Sequence, residues 1–152
     1  MTRHPISRAI AGDYNNNQKY PQIFLDNNGT EQDWWNFAKE KRNDNFVLHA
    51  LSDATCCAGP NTDRKYLEMA KDLVQRFTFV LDIGCLDRGL EKVADILGFE
   101  VEHHTDVAHQ HTPLEERIPF PGVLSYLKEK NKLDIELHEW AKSIALVDCD
   151  EV

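Results

Sequence analysis

Four histidines, His103, His104, His109 and His111, fall within nine residues, with Asp106, Glu115 and Glu116 close by. Neutral imidazoles and carboxylates are the donors that hold zinc and similar divalent ions, so this run is one place where residue types alone could do chemistry. Its spacing, His-His-x-x-x-x-His-x-His, is not that of the common zinc motifs, and the polar, proline-punctuated surroundings favour a solvated loop over a metal module. Cys56, Cys57, Cys85 and Cys149 are too few for a disulfide-built scaffold in a chain of 152 residues. Adjacent Cys56 and Cys57 also lack the spacing by which a Cys-x-x-Cys pair reaches one metal. The triplet Asn28-Gly29-Thr30 is a glycosylation sequon that is used only if the chain enters a secretory lumen.

Trp34, Trp35 and Trp140 have the flat faces that pack on sugar rings. Trp140 falls on an apolar stripe and reads as core; Trp34 and Trp35 point about 100° apart on a helix, so one of them can be exposed. Lys39, Lys41 and Arg42 make a local basic cluster next to that pair. The chain opens on RHPISRAIAGD, residues 3–13, where Arg3, Ser7 and Arg8 surround a proline at a first-turn position.

A formal net charge of -9 with a pI of about 5.2 opposes nucleic acid as a partner, because phosphate neutralisation needs a basic surface. It leaves room for one small anion site, since a local field can oppose the net charge. No apolar run approaches the roughly 20 residues of a membrane span, and no signal segment is visible. The size suits one domain over residues 1–152 with a real core.

Several elements must position these residues. Pro5 with Ile6, Ala9 and Ile10 predicts a short helix, and the Asn- and Gly-rich residues 14–29 read as irregular. Thr30 before Glu31 and Asp33 predicts an N-cap. Periodicity over 62–76 and from Leu86 to Leu97, with Gly98 as a stop, predicts two amphipathic helices. Between them FTFVLDI, 77–83, has the β-branched and aromatic profile of a buried strand. FVLHAL and EVEHH are the segments available to pair with it. EVEHHTDVAHQHTPLEERIPFP, residues 100–121, reads as a long surface loop, and two further helices follow from Pro121. Helix, strand, helix order predicts an α/β class, predominantly helical with one to three short strands.

RHPISRAIAGD resembles the R-[DHN]-P-[IVL]-x-R-x-x-S segment of the sulfotransferase superfamily, whose carbohydrate-type and algal members move a sulfuryl group from 3′-phosphoadenosine 5′-phosphosulfate (PAPS) to a hydroxyl. DNFVLHAL is similar to the family's N-x-x-V-R-x-L, and YLEMAKDLVQRFTFVLDIGCLDRGLEKVADILGF to its block of helix, F-x-x-V-L and helix ending L-G-[WF]. EKNKLDIELHEWAKSI is similar to its C-terminal N-x-L-D-x-x-L-Y-x-[FYW]-A helix. The four pieces stand in the family's order across nearly the whole chain.

The resemblance implies a partial P-loop-type sulfotransferase fold, PAPS as cofactor and a carbohydrate or similar hydroxyl acceptor, with a Golgi or other secretory lumen as a possible setting. Arg3 stands where the family's arginine binds the nucleotide 3′-phosphate, a role suited to a guanidinium's paired donors. Ala11 replaces the serine that donates to the same phosphate, so Ser7, Arg8 or a backbone amide would supply that contact. His49 replaces an arginine and His138 a tyrosine. No G-x-x-x-x-G-K-[ST] loop precedes a helix, and Lys142-Ser143 lies inside the last one. By this resemblance the chain is expected to correspond to the C-terminal half of such a domain, its phosphosulfate loop and general base expected in a missing N-terminal half or a partner chain, and the resemblance assigns no catalytic residue. The rival readings are a His-rich metal module and a non-catalytic helical interaction domain.

Overall fold

In the computed structural model the described residues are 3–11, 14–26, 28–52, 64–101 and 113–149, and they are predominantly helical. In chain order they form α1 (Pro5–Ala9), α2 (Tyr14–Lys19), α3 (Pro21–Phe24), α4 (Glu31–Ala38), α5 (Phe46–Leu51), α6 (Arg64–Val74), α7 (Leu86–Leu97), α8 (Leu114–Arg117), α9 (Pro121–Lys130) and α10 (Lys132–Ser143). Short 3-10 turns at Lys41–Asn43 and Ile83–Cys85 lead into α5 and α7.

The predicted termini have visible causes. Pro5 and Pro121 sit at first-turn positions, where the absent N–H costs nothing. Thr30 accepts from the Asp33 N–H while the Asp33 carboxylate accepts from the Thr30 N–H, so a reciprocal capping box starts α4. Gly98 ends α7 in the left-handed region at φ 73°, where a side chain would be strained.

Three expectations are corrected. No strand or sheet is present among the described residues, so the α/β, P-loop-type class is replaced by a helical one. FTFVLDI is instead a bend at Phe77 and Thr78 followed by irregular chain into the Ile83–Cys85 turn: Phe77 is exposed, Val80 is buried, and the Val80 carbonyl accepts from the Leu146 N–H at 2.9 Å. Strand propensity needs a ladder to act on, and FVLHAL, the nearest candidate partner, is helix α5. Most of EVEHH lies outside the described residues. Second, residues read as irregular contain α2 and α3. Third, the stretch read as surface loop includes α8 and the fully buried Ile118.

The largest core joins α1, α3, α4 and α9 around Ile6, Phe37, Val123 and Leu127, each with no exposed surface. Tyr20, Phe24 and Trp34 meet the Phe37 ring in edge-on contacts at 5.2–6.1 Å. Burying one such side chain contributes about 1.5–3 kcal/mol. A second cluster packs α5, α6 and α10 through Leu48, Leu67 and Leu137, and a third joins Val74, Val80 and Ala141.

Candidate functional site

Helices α5 and α10 begin against each other, and each start is capped by the other. The buried Asp134 carboxylate accepts from the Val47 N–H at 2.8 Å and the Leu48 N–H at 2.7 Å, satisfying two first-turn donors of α5. In return Asn45 Oδ1 accepts from the Asp134 N–H at 3.0 Å, a first-turn donor of α10. Asn45 can face that way because it adopts φ 37°, a left-handed geometry asparagine tolerates better than most residues. Burial pushes the Asp134 carboxyl above the usual range, opposed by those two N–H groups and by the positive charge of Arg8.

The same junction is tied to α4. Asn131 donates to the Asn43 and Leu127 carbonyls at 2.8 and 3.0 Å, and Asn43 donates to the Phe37 carbonyl at 2.8 Å. Lys130 donates to the Ala38 and Glu40 carbonyls at 3.0 and 2.6 Å, so the C-terminal carbonyls of α4 end on an ammonium. Burial lowers the Lys130 pKa, while Asp44 and Glu40 raise it in part. Glu40 also takes Tyr20 Oη, whose pKa is pushed up to about 12 chiefly by burial and by that carboxylate.

Above this junction lies a mostly apolar cavity of about 220 Å³. Arg3, Pro5 and Arg8 line it from the first resembling segment, and Val47 and Leu51 from the second. Val74, Phe77, Phe79 and Val80 come from the third, and Asp134, Leu137, His138 and Ala141 from the fourth. The Arg8 guanidinium lies 4.1 Å from the Phe46 ring centroid, a cation–π contact. His4 and His138 meet edge-on at 5.7 Å between centroids, and burial lowers the pKa of both. Arg117, held by its bond to the Ile10 carbonyl at 2.7 Å, has its pKa lowered first by burial and then by the charge of Arg3. Positive charge thus gathers around Arg3 in a chain whose net charge is -9.

The structure separates some residues that the sequence reading groups together. Arg3 and Arg8 share the cavity; Ser7 is half-buried and does not line it. Ala11 lines a different cavity of about 550 Å³ with Ile10, Phe24, Gly29, Trp34 and Arg117. Phe77, Phe79 and Val80 are wall residues the sequence reading assigned to a strand, and Arg117 was read only as loop. Trp34 is core; Trp35 is the half-exposed one and packs on Tyr126 and Lys39. Trp140 packs against the second and third clusters as expected.

His103, His104, His109, His111, Cys56 and Cys57 lie outside the described residues, and among those described no three His, Cys, Asp or Glu side chains are placed to hold a metal. Cys85 and Cys149 form a disulfide with Cα atoms 5.4 Å apart, a pairing the sequence reading left open. No helix among the described residues is long and apolar enough to cross a membrane. No protein-family model, curated protein or solved structure matches the chain.

Proposed function

We propose that this chain is the helical, non-catalytic part of a sulfotransferase-type apparatus and that Arg3 binds the 3′-phosphate of PAPS or its product, adenosine 3′,5′-bisphosphate. What supports this reading is one observation: all four segments that carry the resemblance, distant in sequence, line the same cavity, and Arg3 and Arg8 line it together. A guanidinium offers directed paired donors to anionic oxygens, and apolar walls strengthen that contact by excluding water.

The residues fit the anionic end of the nucleotide. At about 220 Å³ the cavity is smaller than the roughly 300–1,000 Å³ of pockets that enclose drug-sized ligands, so this chain would enclose part of the nucleotide and leave the sulfuryl end to other residues. When bound, PAPS supplies the sulfuryl group; the role assigned to this chain is to bind and orient. Arg3 grips the phosphate, Arg8 adds charge beside it, and Asp134 keeps α5 and α10 in register beneath it. The acceptor in this reading is a carbohydrate or similar hydroxyl compound.

Calorimetric titration with adenosine 3′,5′-bisphosphate tests the reading. The expected result is saturable binding that is weakened by Arg3→Ala and that exceeds binding of adenosine 5′-monophosphate. A lost hydrogen bond to a charged group corresponds to about 1.5–3 kcal/mol. Equal binding of the two nucleotides, or an Arg3→Ala variant indistinguishable from the parent, would contradict it.

A second reading, a helical interaction domain, draws on α7. Leu90, Ile96, Leu97 and Phe99 are exposed on or just after this helix, at 38–59%. Apolar side chains concentrated on one element suit contact with another protein surface. The two readings are compatible, since a nucleotide enclosed on one side by this chain needs a second body on the other.

A further inference from the structure

We propose that Asn28 carries an N-linked oligosaccharide, added while the chain passes through the oxidising secretory lumen in which Cys85 and Cys149 are joined. The proposal does not depend on nucleotide binding at Arg3. Two independent observations carry it. The sequon Asn28-Gly29-Thr30 supplies the acceptor amide and the hydroxyl residue two positions on. The Cys85–Cys149 disulfide links residues 64 apart in sequence, and structural disulfides of this kind form and persist in secreted and lumenal proteins rather than in reducing compartments.

The position suits a bulky modification. Asn28 is exposed in the connection between α3 and α4, and its backbone N–H, not its side chain, is used inward, donating to the Gln22 carbonyl at 2.9 Å. Gly29 lets the chain pass so close to α3 that an added Cβ would lie 2.7 Å from Ile23 Cγ1, while the preceding residue, Asn28, is exposed. Neither Asn28 nor Thr30 lines the Arg3 cavity. A glycan here would extend into solvent without displacing a packed group.

The fold also dictates when the transfer occurs. Thr30 Oγ1 donates to Asp33 Oδ2 at 2.7 Å and accepts from the Asp33 N–H at 3.3 Å. A transferase that must read this hydroxyl therefore acts before the capping box closes, on the emerging chain. In the step, the Asn28 amide nitrogen bonds to the anomeric carbon of a polyprenyl-pyrophosphate-linked oligosaccharide. The anomeric C–O bond breaks, the lipid pyrophosphate leaves with the electron pair, and the amide proton passes to a base. Closing the disulfide separately transfers two electrons and two protons from the Cys85 and Cys149 thiols to a disulfide-bearing oxidant.

The test is peptide mapping of the full chain recovered from its own cells and digested without reduction. The expected result is an Asn28 peptide that carries hexosamine-containing mass and becomes aspartate-containing on treatment with peptide N-glycosidase, together with a linked Cys85–Cys149 peptide. Asn28→Gln, which leaves the α4 cap intact, and Thr30→Ala should abolish the glycosidase-sensitive mobility shift. Thr30→Ser, which keeps both the sequon and the cap, should retain it. An Asn28 peptide recovered wholly unmodified, or a shift that survives Asn28→Gln, overturns the proposal.

Discussion

The region where α4, α5, α9 and α10 meet differs sharply from the arm that runs from Phe77 to Val101. In the first, polar side chains bond across helices: Asp134 and Asn45 cap each other's helices, and Asn131, Asn43 and Lys130 take up carbonyls at and after the end of α4, although His49 Nδ1 and Asn131 Oδ1 are buried without a partner among the described residues. In the second, α7 is as regular a helix but buries only Gly89 and Ala94. Helical periodicity is common to both regions; cross-helix polar bonds and filled apolar contacts belong to the first. The comparison teaches that an amphipathic sequence makes a helix wherever it falls, whereas docking requires a partner surface.

The widest expected gap comes from truncating one large side chain in each region. Phe37→Ala should cost about 3–5 kcal/mol in denaturant unfolding, since Phe37 has no exposed surface. Leu97→Ala, at a residue 59% exposed, should stay within about 0.5 kcal/mol. A comparable loss at Leu97 would break the distinction.

Removing the reciprocal cap comes next. Asp134→Ala strands two first-turn N–H groups of α5, and leaving such donors unmet corresponds to about 1–3 kcal/mol for each, read by the same unfolding experiment. Asp134→Asn retains one acceptor and should lose less.

Separating Cys85 from Cys149 should act on the arm more than on the core. A Cys85→Ser, Cys149→Ser double variant is expected to lose about 2–4 kcal/mol. Hydrogen exchange should show protection falling first in α7 while α4 and α9 keep theirs. Uniform loss across the helices would mean the two regions unfold as one.

How far the sequence foretold this division depends on which interactions were local. The Thr30 N-cap of α4, the Pro5 and Pro121 starts and the Gly98 stop involve neighbours in sequence, and each was legible. The bonds from Asp134 to Val47 and Leu48 span 86–87 residues, and no spacing rule reports them. FTFVLDI misled because its β-branched residues serve equally well as the wall of a helical cluster, where Val80 packs with Val74 and Ala141. At the candidate site the resemblance singled out Arg3, which lines the cavity, and did not separate Ser7 from Arg8, because which residue of a short helix faces a cavity depends on the neighbours it meets.

The smallest expected effect is on pH dependence. His4 and His138 both have pKa values below the ordinary 6.5, mainly through burial. As pH falls below 6.5 the unfolded chain takes up protons before the folded one, so stability present above that value is lost as pH drops through the lowered folded values. Thermal melting across this window should show the decline, and His138→Phe should flatten it. A melting temperature that rises on acidification through this range would contradict the sign.

The central claim, that four distant segments build one anion site around Arg3, is tested most directly by following backbone amide signals during titration with adenosine 3′,5′-bisphosphate. The account predicts that Arg3, Val47, Val80 and His138 shift together with one saturation curve, while residues of the larger cavity such as Gly29 and Trp34 stay still. Shifts confined to that larger cavity, or none at saturating nucleotide, would contradict it.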